Sequence, residues 1–551
     1  MTYRSLTAAP VLIVGAGPVG LTLAHELARW AVPVRIIDAA DGPAPTSRAV
    51  ATHARTLEIY DQIGVIGEML ARGRHMQAFS MHRNGHRLAR MGADYSALPS
   101  RYPHTLLLEQ AETETVLRAA LSGLGVEVEW GVELEAFASD DEIVTGTLRH
   151  RAGSASPGRT EPFETGWLVG CDGGHSLVRK RLGLRLVGDS TETWLIADAV
   201  VDMDVPQDSI HWLQVENGTV MAVPFARPGK WRLLDTVDVA YQGDDAEVAA
   251  RFKRKLAKGF GVPVHDLDLL WVSVFTIQQR MIEQMRVGRV FLAGDAAHVH
   301  SPASGQGLNT GVQDAVNLAW KLAMVVHGQA DPSLLDSYGE ERVPVGRALL
   351  DATRTATSFV ALKSAISAAV LPVVFAVVRN LPRLRRRIER KIIAGMSALA
   401  LAYPESSLTT PTDPDGPGPR PGERVTRVSP EVAAASPGWQ ALVAQLRDPR
   451  WTLLVFGPEP AQSPRPATAG TVPALPWLSV RVVGADLADP DGRLRRDLTG
   501  GRPGWLLIRP DGYLSSRGTQ LTASALADAL TFPWIRATAR TAIAEPIRSA
   551  P

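Results

Sequence analysis

Val11-Leu12-Ile13-Val14-Gly15-Ala16-Gly17-Pro18-Val19-Gly20 decides how the first part of the chain folds: four apolar residues run straight into Gly-x-Gly-x-x-Gly. An uninterrupted apolar run bounded by glycine reads as a buried strand. Leu21, Leu23, Ala24, Leu27 and Ala28 then recur at helical spacing, and Val34 to Ile37 form a second apolar run that stops at Asp38. Strand, helix and strand in one short stretch make a βαβ unit. Gly15 permits the tight turn, Gly17 lets backbone approach a pyrophosphate, and Gly20 lets helix and strand pack closely. Ala16 and Pro18 complete the loop, whose N–H groups open the helix toward an anion. Asp38 stands where a carboxylate accepts hydrogen bonds from a ribose. The unit predicts a dinucleotide site and leaves open which dinucleotide it takes.

Later segments narrow that choice. Arg289-Val290-Phe291-Leu292-Ala293-Gly294-Asp295 is again a buried strand running into a turn, here Gly-Asp. A carboxylate at this place can bind the hydroxyls of a sugar chain. Ser301-Pro302-Ala303-Ser304-Gly305-Gln306-Gly307-Leu308-Asn309 is glycine-rich and opens a helix. Its N–H groups can stabilise negative charge on a reduced flavin ring. Cys171-Asp172-Gly173-Gly174-His175-Ser176 follows a third apolar strand, at Leu168 and Val169.

In this order and at these separations the three segments resemble the class A flavoprotein monooxygenases, which have the fold of para-hydroxybenzoate hydroxylase. The resemblance covers roughly residues 8 to 400. It implies that Gly15, Ala16, Gly17, Pro18, Gly20 and Asp38 hold the adenylate part of FAD, and that Asp295 beside Gly294 holds the ribityl chain. Asp172-Gly173 resembles a motif tied to FAD and nicotinamide use. Arg48, within Ser47-Arg48-Ala49, and Gln110, between Glu109 and Glu114, match an Arg and a Gln that the family uses on FAD. Pro302, Gly305, Gly307, Leu308 and Asn309 join the cofactor set in the same way. The tail resembles the thioredoxin-like domain of phenol hydroxylase and of large polyketide hydroxylases, on Gly504 to Ile508 followed by Arg509-Pro510-Asp511-Gly512-Tyr513. It carries no cysteine, so thiol–disulfide chemistry is excluded there.

The expected architecture is therefore α/β. A Rossmann-like FAD-binding domain in two pieces, residues 1–190 and 282–400, carries an inserted mixed β-sheet substrate domain at 191–281. In the insert, alternation predicts strands from Trp194 to Met203, His211 to Phe225, Trp231 to Val237 and Leu269 to Ile277. A linker at 401–422, rich in proline, glycine, serine and threonine, leads to the thioredoxin-like α/β domain at 423–551. All the FAD motifs precede that linker. Removing residues from about 405 onward is expected to leave flavin binding intact.

Composition excludes several other classes. The chain has 551 residues and a formal net charge of +1, so it supplies no field to attract nucleic acid or an anionic membrane. Cys171 is the single cysteine, which excludes an intramolecular disulfide and a cysteine metal cluster and suits a cytoplasmic protein. The first residues lack the basic start and apolar run of a secretory signal. The apolar stretch between Lys363 and Arg379 is too short to span a membrane and is interrupted by Pro372, so a buried helix pair is expected. The basic run from Arg383 to Lys391 reads as a solvated helix face.

The substrate wall departs from the small-acid hydroxylases of the family. Where they set serine and arginine to hold a carboxylate, the matching strand here reads Gly218, then Met221, Ala222, Val223, Pro224 and Phe225, and the preceding strand offers Trp212. No cation stands there to fork a carboxylate. Trp212, Val223 and Phe225 are the candidate substrate contacts, and alternation alone leaves open whether they face a pocket or the core of the sheet. His53, His298 and His300 lack partners at metal spacing and read as structural. No catalytic side chain is assigned and no metal is expected.

The resemblance implies an NAD(P)H-dependent monooxygenase. Hydride reduces FAD, O₂ adds to give a C4a-hydroperoxide, and one oxygen passes to an electron-rich ring. There is no second nucleotide-binding βαβ unit, so NAD(P)H is expected to visit transiently. The implied substrate is a polycyclic, polyketide-like phenol, as in antibiotic biosynthesis, and a homo-oligomer is compatible with the family. Baeyer–Villiger insertion or epoxidation on a similar substrate remains open, as does a flavin dehydrogenase or reductase without oxygen transfer. A FAD-bearing binding protein is the reading from another class.

Overall fold

The computed structural model describes residues 11–535 apart from 45–48, 93–94, 96–97, 152–157, 216–217, 302–304, 362–381, 411–415, 459–473, 521 and 531. Arg48, Pro302 and the expected helix pair between 363 and 379 lie outside the described residues.

The quoted stretch forms the strand Val11–Val14, the helix Pro18–Arg29 and the strand Val34–Asp38. Val11–Val14 is buried throughout, as a central strand covered on both faces must be. It sits inside a six-stranded sheet in the order Arg286–Val287, Val290–Leu292, Leu168–Gly170, Val11–Val14, Val34–Asp38, Val128–Trp130. All neighbours run parallel except the Arg286–Val287 edge. Parallel pairing brings the carboxyl ends of three adjacent strands together. The turns at Gly15, Cys171 and Gly294 therefore lie side by side, at the edge where open α/β sheets take their ligands. The helices Pro18–Arg29 and Gly307–Val326 pack against each other over this sheet.

The second sheet has eight strands: His298–Val299, Val264–Met281, Val187–Met203, Lys230–Asp235, Gly218–Pro224, Ser209–Val215, Ala78–Arg83 and His86–Gly92. It reaches beyond the expected 191–281 at both ends. The outer hairpin comes from far upstream, and its Ala78–Arg83 strand pairs in parallel with Ser209–Val215. The hairpin closes on Asn84-Gly85, with φ of 47° and 82°, between the paired Arg83 and His86. Positive φ at both central residues is the turn that matches the twist of an antiparallel pair, and Asn-Gly is its preferred sequence. The stretch expected as one strand from His211 to Phe225 is a hairpin instead, Ser209–Val215 against Gly218–Pro224.

The two faces of this sheet have different partners. Asp244 caps the helix Asp245–Phe260 by accepting from the Glu247 N–H (3.0 Å), and Gly261 ends it at φ 75°. Val248, Phe252, Leu256 and Phe260, four residues apart, lay one face of that helix on Leu195, Ala197, Leu213, Ala222 and Leu233. Each such side chain, fully buried, contributes about 1.5–3 kcal/mol. The alternate residues of the same strands, among them Trp194, Ile196, Met221 and Val223, point the other way, onto Val50, Phe79 and Leu107.

The C-terminal sheet runs Leu478–Val482, Trp451–Phe456, Gly504–Ile508, Leu514–Gly518. Its first pair is parallel and the others antiparallel, which is compatible with a thioredoxin-like sheet. Within the segment expected as a linker, Tyr403, Ser406 and Leu408 are all buried. Trp451, Leu453, Trp477, Trp505 and Trp534 belong to the same continuous core as Val11, Leu168 and Trp320. Among the described residues, no helix is long and apolar enough to cross a membrane.

Candidate active site

The first turn is shaped by glycine where nothing else fits. Gly15 has φ of 103°, and a Cβ there would stand 2.4 Å from the Cys171 carbonyl oxygen. A Cβ at Gly20 would stand 1.9 Å from the Gly15 oxygen. At Gly17 a Cβ would meet nothing within 4 Å, so this point of the loop faces open space, as a phosphate-binding backbone must. The helix Pro18–Arg29 has no side-chain cap and no acidic residue in its first turn. Its N–H groups are left to a ligand or to water. Asp38 accepts from the Ala16 N–H through Oδ2 (2.8 Å) and from the Ala40 N–H through Oδ1 (2.8 Å). Those bonds hold the loop and leave lone pairs for a ribose.

The Gly294 turn lies beside it. Gly294 has φ of 62° and packs so close to Val19 that a Cβ would come within 2.8 Å of its Cγ2. Asp295 is exposed, and its Oδ1 lies 3.9 Å from where a Cβ of Gly307 would stand. The helix Gly307–Val326 likewise starts with no side-chain cap and no acid in its first turn. Gly305, at φ 63°, leaves room for Ala51, whose Cβ would be 2.9 Å from a Cβ at this site. Buried Asn309 ties the two segments together. Its Oδ1 accepts from the His53 N–H (2.8 Å), and its Nδ2 donates to the Ala51 oxygen (2.9 Å) and the Gly305 oxygen (2.8 Å). Leu308 packs against the core. Gln110 accepts from the Ala49 N–H (3.1 Å) and donates to Glu114 (2.9 Å), and so anchors the segment that follows Arg48.

Asp172 turns inward. Its carboxylate accepts from the Ser176 hydroxyl (2.5 Å) and from the Leu177 (2.7 Å) and Val178 (3.2 Å) N–H groups. It shapes the start of the short helix Leu177–Arg181. Burial pushes its pKa up despite those bonds.

Sequence reasoning missed the group that braces the Gly294 turn. Asp314, fully buried, accepts from the Gly294 N–H (3.0 Å), meets His298 Nε2 (2.6 Å) and accepts from Arg342 Nε (2.7 Å). Arg342 continues to the Tyr403 hydroxyl (2.8 Å). Burial opposes ionisation of Asp314, but His298 and Arg342 outweigh it and hold its pKa at about 2. His298 is thus engaged in an internal pair and in a contact with His300 (2.9 Å). Among the described residues no group of three or more His, Cys, Asp or Glu side chains could hold a metal.

Strand register puts the three wall residues on one face of the sheet. Trp212, Val223 and Phe225 lie on the face opposite the Asp245–Phe260 helix, in one cluster with Met76 and Phe79. Trp212 stacks on Phe79 at 5.4 Å between centroids. Phe225 is fully buried, with Lys230 Nζ 4.9 Å and Arg232 Cζ 5.3 Å from its ring centroid. Neither cation is available to a carboxylate: Arg232 makes a two-pronged pair with Asp198 (2.8 and 2.9 Å), and Lys230 bonds Glu109 (2.7 Å). The narrow cleft on this face is lined instead by Met76, Phe79, Tyr95, Leu98, His104 and Thr105.

Comparison with known proteins fits this geometry. Residues 8–353 match the family model described as FAD binding domain. The chain is 50% identical over 526 residues to the 6-methylpretetramide 4-monooxygenase of Streptomyces rimosus, covering 93% of this chain and 92% of that one. It is 32% identical over 511 residues to an aromatic compound monooxygenase of Bacillus subtilis, covering 92% and 93%. An anhydrotetracycline hydroxylase of Streptomyces rimosus superposes with a TM-score of 0.70 at 28% identity, covering 96% of this chain and 99% of that one. With a family model over more than half its length and a relative this similar from end to end, the chain belongs to the FAD-binding family of flavin-dependent aromatic monooxygenases.

Proposed function

We propose that this enzyme hydroxylates a fused-ring, polyketide-type phenol, using NAD(P)H and O₂ as cosubstrates. One observation carries the reading: a relative half identical over nearly the whole chain is named for oxygenating 6-methylpretetramide, a compound of this chemical class. The wall supports it. The face that carries Trp212, Val223 and Phe225 is apolar, and its two nearby cations are already paired, so binding rests on ring contact rather than on a carboxylate fork.

FAD, when bound, supplies the redox and oxygen-activating chemistry. The chain's own residues bind and orient. Gly15, Ala16, Gly17, Pro18 and Gly20 offer backbone N–H groups to the pyrophosphate, and Asp38 offers its carboxylate to the adenosine ribose. Asp295 takes the ribityl hydroxyls. Gly305, Gly307, Leu308 and Asn309 present the start of a helix to the flavin ring, where its N–H groups favour negative charge. Gln110 fixes the backbone beside Arg48, and Asp172 shapes the third turn. Residues 1–190 and 282–400 act as the cofactor part, 191–281 with the upstream hairpin as the substrate part, and 423–551 as a structural part.

The test is direct. Purified protein should be yellow, release FAD on denaturation, and convert a tetracyclic phenol to a product one oxygen atom heavier. Product should approach one equivalent per NAD(P)H consumed, and simple benzoates should be poorer substrates. Peroxide as the sole product from every fused-ring phenol tried, or a preference for a simple benzoate, would overturn the reading.

A further inference from the structure

The cleft under the helix Pro382–Ser397 holds two polar atoms that the fold leaves without a well-made hydrogen bond. Its walls are apolar, from Ala54, Met76, Phe79 and Leu98, and Ile393 and Met396 of that helix roof it. Into this setting the chain places the Tyr95 hydroxyl and His104 Nε2, both buried: His104 Nε2 has no hydrogen-bond partner, and the Tyr95 hydroxyl makes only a poorly aligned approach to Thr105. The cleft is closed to a ring as it stands, so a ligand enters only by parting the helix Pro382–Ser397 from the sheet. Buried polar side-chain atoms normally find partners, and two left without a well-aligned one in a single apolar slot form an unfilled recognition pair. The His104 ring is held in place by stacking on His75 at 3.8 Å. Burial pushes its pKa down to about 4, so it is neutral near pH 7 and able to donate or accept.

The slot also lies next to the cofactor loop. Thr105, which lines it, meets His53 Nδ1 at 3.1 Å. The His53 N–H is held by Asn309, and His53 Nε2 lies 3.7 Å from where a Cβ of Gly305 would stand. One side chain thus separates the slot from the segment proposed to face the flavin ring. The basic residues Arg387, Arg390 and Lys391 of the roofing helix are exposed, while Ile393 and Ser397 are buried, so the helix turns an apolar edge to the slot.

Resting on the function proposed above, we propose that Tyr95 and His104 are the specificity-determining residues that hold a phenolic oxygen of the fused-ring substrate. A hydroxylated ring that wedges between the sheet and the roofing helix supplies both hydrogen bonds. A ring without the hydroxyl leaves them unmade. Sites built to bond a substrate hydroxyl discriminate strongly against the analogue that lacks it.

Equilibrium dialysis of the FAD-loaded enzyme with 2-naphthol and with naphthalene tests this without turnover. The native enzyme should prefer 2-naphthol by about tenfold or more. His104→Phe and Tyr95→Phe should each lower affinity for 2-naphthol and leave that for naphthalene unchanged, and the double variant should bring the two to parity. His104→Gln, which can still donate and accept, should restore part of the preference. FAD content and the rate of cofactor reduction by NAD(P)H without substrate should stay at the native level. The proposal is overturned if the variants keep the native preference, if they lose both ligands equally, or if the native enzyme shows no preference. A native enzyme that oxygenates fused-ring phenols while its variants keep their preference would sink this assignment and leave the function standing. An enzyme that oxygenates none would sink the function.

Discussion

Gly305 shows how a single missing side chain serves the site. It sits at φ 63°, against Ala51. Gly305→Ala would combine a strained backbone with a 2.9 Å contact, and the segment over the proposed flavin ring must give. The expected result is a loss of FAD affinity of roughly tenfold or more with only a small fall in Tm, since about 1–2 kcal/mol is at stake. Titration of apoprotein with FAD measures it, and native affinity would show that this loop stands clear of the cofactor. Asp314 works by charge. With an ordinary pKa of 3.8 and a folded value of about 2, it contributes stability that is present above pH 4 and lost as pH falls through 2. The difference amounts to about 2 kcal/mol. Asp314→Asn should cost about 3–5 kcal/mol, because Arg342 and His298 lose their counter-charge in a buried place, and it should flatten the acid limb of the stability curve. Urea unfolding at pH 7 and pH 3 reads both effects. The glycines of this site were legible in the sequence because their spacing is local. Asp314 was not, because its partners lie 16 and 28 residues away. A signal was there: Asp314, Asn317 and Lys321 recur at helical spacing in a helix that is otherwise apolar from Asp314 onward, and all are buried.

At the scale of elements, period and turn chemistry carried the reading, and side was the part they could not carry. Short apolar runs that stop at a glycine identified three strands of the parallel sheet, since a strand buried on both faces needs no alternation. In the substrate sheet the central strands Gly218–Pro224 and Lys230–Asp235 are buried along nearly their whole length, because a helix covers one face and the residues around Val50, Phe79 and Leu107 cover the other. Alternation then has no polar face to mark, which is why Val223 and Phe225 could not be oriented from sequence. The hairpin Ala78–Gly92 went unread although its Asn-Gly turn is a local signal, and its parallel partner lies more than a hundred residues downstream. Gly85 belongs to a close crossing: a Cβ there would come within 3.0 Å of Gly261 Cα, and φ is 82°. Gly85→Val should therefore destabilise the protein by about 1–3 kcal/mol and splay the hairpin from the end of the Asp245–Phe260 helix. Because Phe79 of this hairpin lines the cleft, affinity for 2-naphthol should fall as well. A variant with native Tm and native affinity would mean that the hairpin tip is independent of the site.

At the scale of the whole molecule, the packing of the tail argues against one expectation. Composition marked 401–422 as a linker and suggested that the tail could be removed, yet proline, glycine and serine fix a segment as readily as they free it once its side chains are buried. Glu341, in the second turn of the helix Asp336–Ala361, is buried with Arg509 (2.5 and 2.9 Å), Lys321 (2.8 Å) and Ser406 (2.6 Å) around its carboxylate. Two of those partners, Ser406 and Arg509, lie beyond residue 405. Arg509 also bonds Asp511, whose backbone oxygen accepts from Arg55 (2.7 Å). Trp320 meets Trp451 edge-on at 5.4 Å, and Trp534 lies 5.9 Å from Trp451 in turn. A chain ending at residue 405 would strip Glu341 of its arginine and expose Trp320, on the same helix whose N-terminus is proposed to face the flavin. Opening a buried charge cluster costs about 3–5 kcal/mol, and uncovering large aromatic side chains adds several more, against a total stability of about 5–15 kcal/mol. The truncated chain is expected to aggregate or to purify without FAD. Arg509→Ala in the full chain should lower Tm and FAD occupancy together, while an exposed change such as Arg493→Ala should move neither. Size-exclusion chromatography with absorbance at the flavin band separates the outcomes. A truncated protein that elutes as a single yellow species would show that the tail is dispensable and that the shared core stabilises only the tail itself.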